Sequence, residues 1–539
     1  MALRRVAISL LLLCTSSKFQ KELGGGNGLP HPSYRLKYKP RISKASGFTL
    51  LNTSSNGAGK LYSISLSGDD SYSLGDINLF DLSGSPEDVG EAYGEILGSS
   101  ASQLHDIWVA QKLNSSMIPV IDWLWDCSLR EWTPKSFLLE LEGIKRGGVK
   151  AGIKDLGRKV ARVLTVSNLP SDTQNIEILV ENEIKRHGPP SNTSTCSSRI
   201  PEIRSALQSL LLVPQPTQRS TGHCDFFAAW GSVTEHGRLL SSRNLDITSD
   251  TGISKHKILT VYRLSGQHAY ATMGFAGYFG ALGGMSEAGI TVSEANLDNG
   301  NVSFDGIPWP LRLRELLGQA TTLQEARKMW ASRPNSAAFN FLVGSAKDAP
   351  HGPAAVALET MAGFNGEFVG DSDIERKATF SCVNGTITDG RKCSWPNNGG
   401  KLVRIGEPMH DAVFRSNHAL HPLVMKYGEP LWNDTVMRYF LLHDRLSEAT
   451  TGGMKLTAEG AVNITSLLGI KGPDYGSCDR SNFQDSTHVM SLVYDPSQVE
   501  AYMAWEDGHA ETWTPAACNV YLHVNLKQWF DGNGGVDAI

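Results

Sequence analysis

The sequence has little of what marks several large protein classes. Its 50 lysines and arginines do not outnumber its 55 aspartates and glutamates, and a net charge of −5 gives no electrostatic basis for binding nucleic acid. After the N-terminus there is no apolar run of about 20 residues, so no integral membrane segment is predicted. The chain also has no internal repeat and no long charge run. What remains is a globular protein whose 539 residues can bury a large core, with no predicted cofactor.

Two local patterns resemble binding sites but lack the residues that binding would need. The glycine-rich stretch 277–284 contains neither G-x-G-x-x-G nor a lysine after its last glycine, so it favours close backbone packing over phosphate binding. His418 and His421 have a spacing that suits a metal on a helix, but no partnering acid or cysteine has ligand spacing. Satisfied histidines are therefore the preferred interpretation, and no metal site is predicted.

The N-terminus is typical of a secretory signal. Met1 to Arg5 is basic, Val6 to Cys14 is short and apolar, and Ser16-Ser17 suits cleavage, so residues 1–17 are expected to be a signal peptide. We therefore expect a soluble mature protein that is secreted or lysosomal. Seven N-x-S/T sequons agree with this route and are predicted glycosylation sites: Asn52, Asn114, Asn192, Asn301, Asn384, Asn433 and Asn463.

Cysteine is also scarce, and its count is informative. Of eight cysteines, Cys14 lies in the signal, which leaves an odd number. In an oxidising compartment an odd count suggests three disulfides and one free thiol. The simplest pairs leave Cys224 free, although the sequence alone does not fix the connectivity; they are Cys127–Cys196, Cys382–Cys393 and Cys478–Cys518. The alternative is that Cys224 is itself a disulfide partner or an inert core thiol.

Cys224 opens an apolar run that predicts a buried strand of a β-hairpin. If the turn is centred near Glu235 and His236, Asp246 lies beside Cys224, and Arg243 lies about 10–14 Å further along the return strand. A shift of one residue would exchange the faces. A thiol, a guanidinium and a carboxylate in one place predict a reactive cysteine, because the cation lowers the thiol pKa and the carboxylate orients the group that takes the proton. The alternative is that Arg243 and Asp246 form a surface ion pair.

The rest of the chain divides by composition. Residues 18–60 are rich in Gly, Ser, Lys and Pro and predict a flexible leader. Ser85, followed by a proline and then an acid three residues after the cap, predicts a helix start within the largely helical segment 61–223. Strand sets alternate with helix sets from about residue 224 to 530, which predicts an α+β layered domain.

Several motifs resemble those of the cysteine-type N-terminal-nucleophile (Ntn) hydrolases. They are the hairpin that begins at Cys224, the sequence Arg243-Asn244-Leu245-Asp246, and Gly284-Met285-Ser286-Glu287-Ala288-Gly289 followed by Asn296. Within these enzymes the chain is most similar to the penicillin (isopenicillin N) acyltransferase family and acid-ceramidase-like proteins. Further stretches, including Ser416-Asn417-His418, extend the resemblance over about residues 75 to 510.

The resemblance implies a four-layer αββα sandwich made from a precursor that cuts itself between His223 and Cys224. Residues 61–223 would then be a mostly helical α-chain and residues 224–539 the catalytic β-chain. The cut frees an α-amino group on Cys224, with a pKa of about 7.7–8.0, which can act as base for its own thiol. Cys224 would form a thioester with the acyl group of an amide, and water or a second amine would release it.

The resemblance also implies roles for four other residues. Arg243 would stabilise the thiolate and the bound oxyanion, and Asp246 would hold the new α-amino group. Asn340, and also Asn296, would donate amide hydrogens to the oxyanion, typically worth about 3 kcal/mol per donor. The alternative for each asparagine is a strand-end side chain that bonds nearby backbone.

The motif around the nucleophile departs from the family in two places. Such enzymes often have glycine before the nucleophile and threonine or serine after it, whereas this chain has His223 and Asp225. The departure bears on the efficiency of self-cleavage more than on the fold.

These features together predict a secreted or lysosomal amidohydrolase that acts on a small-molecule or lipid amide with an apolar acyl chain. One alternative is a lipid-ester hydrolase of the phospholipase-B-like kind, and another is an acyltransferase that passes the acyl group to an amine. A third alternative, from another class, is a glycosylated binding protein that keeps the fold without catalysis.

Overall fold

A computed structural model of the chain describes residues 34–66, 77–113, 115–170, 173–188, 195–212, 224–297, 299–383, 386–387, 402–428, 433–470, 476–485 and 488–534. The predicted signal peptide, residues 1–17, lies outside these ranges. Within them, no helix has the length and apolar character that crossing a membrane requires.

Helices are concentrated before Cys224 and in the second half of the chain. In chain order they are α1 (Pro86–Lys112), α2 (Ile118–Leu124), α3 (Arg130–Trp132), α4 (Lys135–Lys150), α5 (Leu156–Ser167), α6 (Thr173–His187), α7 (Thr195–Ser198), α8 (Ile200–Leu212), α9 (Trp309–Gln319), α10 (Leu323–Ala331), α11 (Asp373–Arg376), α12 (Pro422–Met425), α13 (Asn433–Thr451), α14 (Ala458–Gly469) and α15 (Lys527–Phe530). The predicted start at Ser85 is confirmed, because the Ser85 hydroxyl accepts a hydrogen bond from the Asp88 backbone N–H at 3.2 Å.

Strands occur on both sides of Cys224. They are β1 (Ile42–Thr53), β2 (Gly59–Leu66), β3 (Asn78–Gly84), β4 (Asp225–Ala229), β5 (Leu240–Asp246), β6 (Lys257–Leu264), β7 (Tyr270–Phe275), β8 (Gly283–Ser286), β9 (Ile290–Asn296), β10 (Phe339–Ser345), β11 (Ala355–Met361), β12 (Phe364–Phe368), β13 (Thr379–Phe380), β14 (Cys382–Val383), β15 (Thr386–Ile387), β16 (Val403–Arg404), β17 (Ala412–Arg415), β18 (His488–Asp495), β19 (Glu500–Trp505) and β20 (Tyr521–Asn525).

The main strands form two sheets that share β1. One has the order β17-β4-β5-β18-β19-β20-β1, and the other runs β1-β2-β3-β6-β7-β8-β9-β10-β11-β12. The sheets face each other where β4 and β5 contact β9. Helices α13 and α14 cover the outer side of the first sheet, and α1, α9 and α10 cover the second. This helix–sheet–sheet–helix arrangement confirms the predicted α+β class and its four layers.

The shared strand corrects the prediction of a flexible leader. Residues 42–53, inside the predicted leader 18–60, form β1. Ile42–Lys44 pairs in parallel with β20, and Ala45–Thr53 pairs antiparallel with β2. Ile42, Ala45 and Phe48 pack against the core, whereas Leu50 and Leu51 are exposed. The second half of the strand is therefore held by its backbone pairing with β2, which composition does not reveal.

Two helices before Cys224 pack unusually close. A Cβ added at Gly94 of α1 would lie 2.2 Å from the backbone oxygen of Ile144, and one at Gly147 of α4 would lie 2.0 Å from that of Glu91. Only glycine permits this approach. The packing fixes α4 so that the buried carboxylate of Glu140 accepts two hydrogen bonds at 3.1 Å from Arg314 on α9.

Two of the three predicted disulfides are confirmed. Cys127–Cys196 has a Cα–Cα distance of 5.8 Å, and Cys478–Cys518 one of 5.7 Å. Each closes within one of the two predicted segments, 61–223 and 224–539. The third predicted pair includes Cys393, which lies outside the described residues.

The predicted glycosylation sites fall in different settings. Asn52 on β1 and Asn463 on α14 are exposed, whereas Asn301 is half-buried and donates a hydrogen bond to the Ala362 backbone oxygen at 3.4 Å. Asn433 begins α13. The remaining three sequons lie outside the described residues, at Asn114, Asn192 and Asn384. Glycosylation stays a prediction.

We expect Gly94→Ala to destabilise the protein by about 1–3 kcal/mol, because the added methyl group overlaps the Ile144 backbone oxygen and the helices must separate. Urea unfolding of the purified protein measures the loss. Gly98→Ala in the same helix is the matched control, since its Cβ meets side-chain carbons of Leu156, Ala151 and Ile153 at 3.3 to 3.5 Å and no backbone atom among its three nearest neighbours. Equal midpoints for the two variants would contradict the packing argument.

Candidate active site

Cys224 lies immediately before β4, at the start of the predicted hairpin. Asp225 is opposite Asn244 and Phe226 is opposite Arg243, so the pairing next reaches Cys224 and Leu245. The end of β5 that contains Asp246 therefore lies beside Cys224, as predicted, and the register, which the sequence left open, places Leu245 opposite Cys224. Arg243 is only two residues along from the position opposite Cys224, about 7 Å and on the same face, closer than the predicted 10–14 Å.

Cys224 is a free, buried thiol, as predicted. Burial raises its pKa to about 12, and the negative charge of Glu294 and that of Asp246 act in the same direction. The positive charge of Arg243 and a hydrogen bond from the Asp246 backbone N–H act in the opposite direction but do not outweigh burial. The Cys224 thiol is therefore protonated at neutral pH in this structure.

The Arg243 guanidinium is fully buried between the sheets and forms an ion pair with Glu294 on β9 through Nη2. Its Nε and Nη1 have no hydrogen-bond acceptor among the described residues. Buried N–H groups without an acceptor can stabilise a negative charge that develops nearby. Glu294 was not predicted as a site residue, although an acid inside the apolar run of β9 was a usable signal.

A second buried arginine, Arg438 on α13, hydrogen-bonds the backbone of Cys224. Its Nη1 donates to the Cys224 backbone oxygen at 2.7 Å and to Asp225 Oδ2 at 3.1 Å. Its Nη2 donates to Asn417 Oδ1 at 2.9 Å, and its Nε to Asp434 Oδ2 at 3.0 Å. The sequence did not predict Arg438, because nothing local connects it to a strand 214 residues earlier.

Asn417 brings a third strand end to the site. Its Nδ2 donates to the backbone oxygen of Asn296 at 2.8 Å, while its Oδ1 accepts from Arg438. Asn417 was noted only as part of the Ser416–His418 motif and was not predicted as a site residue. Asn296, which was predicted, ends β9 within this group of residues, and its side-chain role stays a prediction.

The predicted oxyanion donor Asn340 is engaged elsewhere. It is buried on β10, and its Nδ2 donates to the backbone oxygens of Ser416 at 2.8 Å and His418 at 3.3 Å. Both amide hydrogens are thus used on backbone carbonyls, which is the alternative that the sequence left open. A role at the oxyanion would require Asn340 to change partners, and it stays a prediction.

The two weaker patterns have structural roles. Burial, with Arg415 and Arg438 nearby, lowers the pKa of His418 to about 3, and its Nδ1 lies 3.0 Å from Thr435 Oγ1. His421 Nδ1 accepts the Leu423 backbone N–H at 3.2 Å and caps α12. In the glycine-rich stretch, a Cβ at Gly280 would lie 2.1 Å from Pro310 Cβ, so the predicted close packing is confirmed.

The described residues contain no group of three or more His, Cys, Asp or Glu side chains able to hold a metal ion.

We expect variants that remove the charge of Arg243 or of Glu294 to shift the pH at which Cys224 reacts, and to shift it in opposite directions. Arg243→Gln removes the cation that lowers the thiol pKa, so alkylation by iodoacetamide should move to higher pH. Glu294→Gln removes an anion that raises the thiol pKa, so alkylation should move to lower pH. Alkylation rates measured from pH 6 to about 11 compare the variants with wild type at each pH: Arg243→Gln should react more slowly than wild type and Glu294→Gln faster. Shifts of the same sign would contradict the proposed electrostatics.

Comparisons with known proteins complete this description. Residues 233–361 match the family model described as acyl-coenzyme A:6-aminopenicillanic acid acyl-transferase. The match begins after Cys224 and covers Arg243, Asp246, Asn296 and Asn340. A search of curated protein sequences found no match.

Three solved structures show limited similarity. The N-acylethanolamine-hydrolyzing acid amidase ortholog of Caenorhabditis elegans is 13% identical with a TM-score of 0.31, covering 51% of this chain and 93% of its own. A mutant conjugated bile acid hydrolase from Clostridium perfringens is 11% identical, with a TM-score of 0.32 and coverage of 57% and 93%. Penicillin V acylase from Agrobacterium tumefaciens is 12% identical, with a TM-score of 0.26 and coverage of 52% and 83%.

At these TM-scores no residue role is taken from the three structures. The family match over residues 233–361 agrees with the sandwich and with the free, buried Cys224. The resemblance of this chain to the penicillin acyltransferase family of cysteine Ntn hydrolases is therefore confirmed.

Proposed function

We propose that the protein is a self-cleaving cysteine Ntn amidohydrolase that acts on linear N-acyl amides. The observation that carries the proposal is the position of the one free thiol in the described chain. Cys224 lies at the start of a central strand, with the charge of Arg243 and the backbone N–H of Asp246 acting on its sulfur. A cysteine that only packs in the core does not require a buried arginine beside it, whereas Arg243 lies there with N–H groups that have no acceptor among the described residues.

The first proposed step is the cut between His223 and Cys224. The Cys224 sulfur adds to the His223 carbonyl, the C–N bond breaks, and the thiol proton passes to the departing nitrogen. Water then hydrolyses the resulting thioester, which leaves a carboxylate on His223 and a free α-amine on Cys224. Arg438 supports this step because its bond to the Cys224 backbone oxygen holds the residue while the bond before it breaks.

The second proposed step is turnover of substrate. The new α-amine, with a pKa of about 7.7–8.0, removes the thiol proton that burial otherwise retains. Asp246, whose charge acts on the Cys224 sulfur, would hold this amine as an ammonium ion. The thiolate attacks the amide carbonyl, the unused N–H groups of Arg243 stabilise the negative charge, the amine leaves with a proton, and water releases the acyl group from sulfur.

The route to a secreted or lysosomal compartment is part of the proposal. The Cys127–Cys196 and Cys478–Cys518 disulfides support folding in an oxidising compartment. The sequons at exposed Asn52 and Asn463 are compatible with glycosylation there. An N-acyl amide with an apolar acyl chain is the preferred substrate.

We expect the purified mature protein to carry a new N-terminus at Cys224, and Cys224→Ala to stay whole, because the variant has no nucleophile. Intact-mass analysis and N-terminal sequencing measure the cut. Cys224→Ser is the matched control: its hydroxyl has the same geometry and should cut more slowly. Wild-type protein that remains in one piece after incubation at acid pH would contradict the self-cleavage step.

A substrate panel separates the alternatives once the cut is established. Release of fatty acid from an N-acyl amide and not from a glycerophospholipid supports the amidohydrolase, and the reverse result supports a phospholipase-B-like esterase. Faster product formation in the presence of an added amine, with the acyl group found on that amine, supports an acyltransferase. A whole chain with an unreactive Cys224 supports the binding protein.

A further inference from the structure

Behind the nucleophile, four buried side chains form an unbroken series of hydrogen bonds, here called the buried relay: His488, Asn244, Asp225 and Arg438. His488 Nε2 lies 2.9 Å from Asn244 Oδ1, Asn244 Nδ2 donates to Asp225 Oδ1 at 2.9 Å, and Arg438 Nη1 donates to Asp225 Oδ2 at 3.1 Å. Because the same Nη1 also donates to the Cys224 backbone oxygen, the series ends on the nucleophile itself.

The centre of the buried relay is fully determined. Asn244 Nδ2 donates to both Asp225 Oδ1 and the Thr465 backbone oxygen, each at 2.9 Å. Its Oδ1 accepts from Ser491 Oγ at 2.9 Å as well as from His488. All four hydrogen-bonding positions of the Asn244 amide are used, so the amide can adopt only one orientation. That orientation in turn fixes the position of the Asp225 carboxylate.

The far end of the buried relay is equally constrained. The Ala517 backbone N–H donates to His488 Nδ1 at 3.0 Å, so Nδ1 is an acceptor and the ring proton lies on Nε2, facing Asn244. Ala517 is next to Cys518, which the disulfide to Cys478 anchors. A Cβ at Gly469 would lie only 2.3 Å from His488 Nδ1, so the last residue of α14 leaves room for this ring and nothing larger.

We propose that the buried relay positions Cys224 for reaction, so that Asp225, Asn244 and His488 are positioning residues that do not touch substrate. This inference rests on the proposed function. Self-cleavage turns Cys224 into a chain terminus, and a terminus frays unless something holds it. The hydrogen bond from Arg438 to the Cys224 backbone oxygen would restrain this terminus, and the Asp225 carboxylate keeps Arg438 in place.

The departure of this chain from its family supports the same assignment. Where related enzymes often have threonine or serine after the nucleophile, this chain has a fully buried carboxylate. A buried ion pair between Asp225 and Arg438 contributes little net stability, since desolvating both charges offsets their attraction. Its effect is therefore one of geometry, and a misplacement of about 1 Å at a nucleophile can lower the rate by about 100-fold.

The test compares Asp225→Asn and Gly469→Ala with wild type in the processed enzyme. The first variant removes the charge that holds Arg438, and the second pushes the His488 ring away from Asn244. We expect kcat per alkylatable thiol to fall by about 10- to 100-fold in both, with KM within about twofold of wild type. Gly460→Ala, in the same helix, is the matched control, because its nearest neighbours are side-chain atoms of Leu456 at 3.0 Å and Thr457 at 3.5 Å, and none belongs to the buried relay.

The outcomes separate the buried relay from the proposed function. Wild-type kcat and KM in both variants, with only the melting temperature lowered, would overturn the positioning role while leaving the Cys224 reaction intact. Wild-type protein without turnover that depends on Cys224, shown with Cys224→Ala, would overturn the proposed function and this role with it. A fall in kcat in Gly460→Ala equal to that in Gly469→Ala would assign the effect to the helix and also overturn the role.

Discussion

The burial of four arginines without exposed surface is the constraint on which the rest of the structure depends. Arg243, Arg314, Arg415 and Arg438 are each buried, and each contacts a carboxylate. A buried cation costs several kcal/mol unless a partner is placed well, so each pair fixes the relative position of the elements that carry it. Arg314 joins α9 to the helices before Cys224, Arg415 joins β17 to β11, and Arg243 joins the two sheets. Arg438 attaches α13 to the nucleophile strand, so the last of these pairs lies in the candidate site itself.

The charged side chains of the candidate site are thus buried away from water before any reaction takes place. Glu294 neutralises Arg243 without using all of its donors. Asp225 and Asp434 neutralise Arg438, and every nitrogen of that guanidinium has an acceptor. The Cys224 thiol is protonated because burial, together with the charges of Glu294 and Asp246, outweighs the charge of Arg243. In such an environment a single new base changes the ionisation of the sulfur, which is why the appearance of one α-amine would matter so much more here than at a solvated cysteine.

The local parts of this arrangement could be predicted from the sequence, and the distant parts could not. The apolar run after Cys224, the turn before Arg243 and the Ser85 cap are short-range patterns, and the structure agrees with all three. Arg438 and Asn417 escaped prediction because their partners lie on other layers. The neighbourhood of Cys224 and Asp246 was predicted, but the register was left open, because the apolar pattern does not reveal the left-handed His236 (φ 58°) in the turn. Strand β1 escaped because backbone pairing, and not apolar alternation, holds its exposed half.

The strand shared by both sheets has a consequence for how the protein is made. The first residues of β1, Ile42–Lys44, pair with Tyr521–His523 of β20, although more than 470 residues separate the two segments along the chain. The two sheets can therefore be joined through this strand only after both segments have been synthesised. Contacts between such distant parts of a chain form slowly, because a long loop must close first. The order of the strands thus makes the joining of the sandwich a late step of folding.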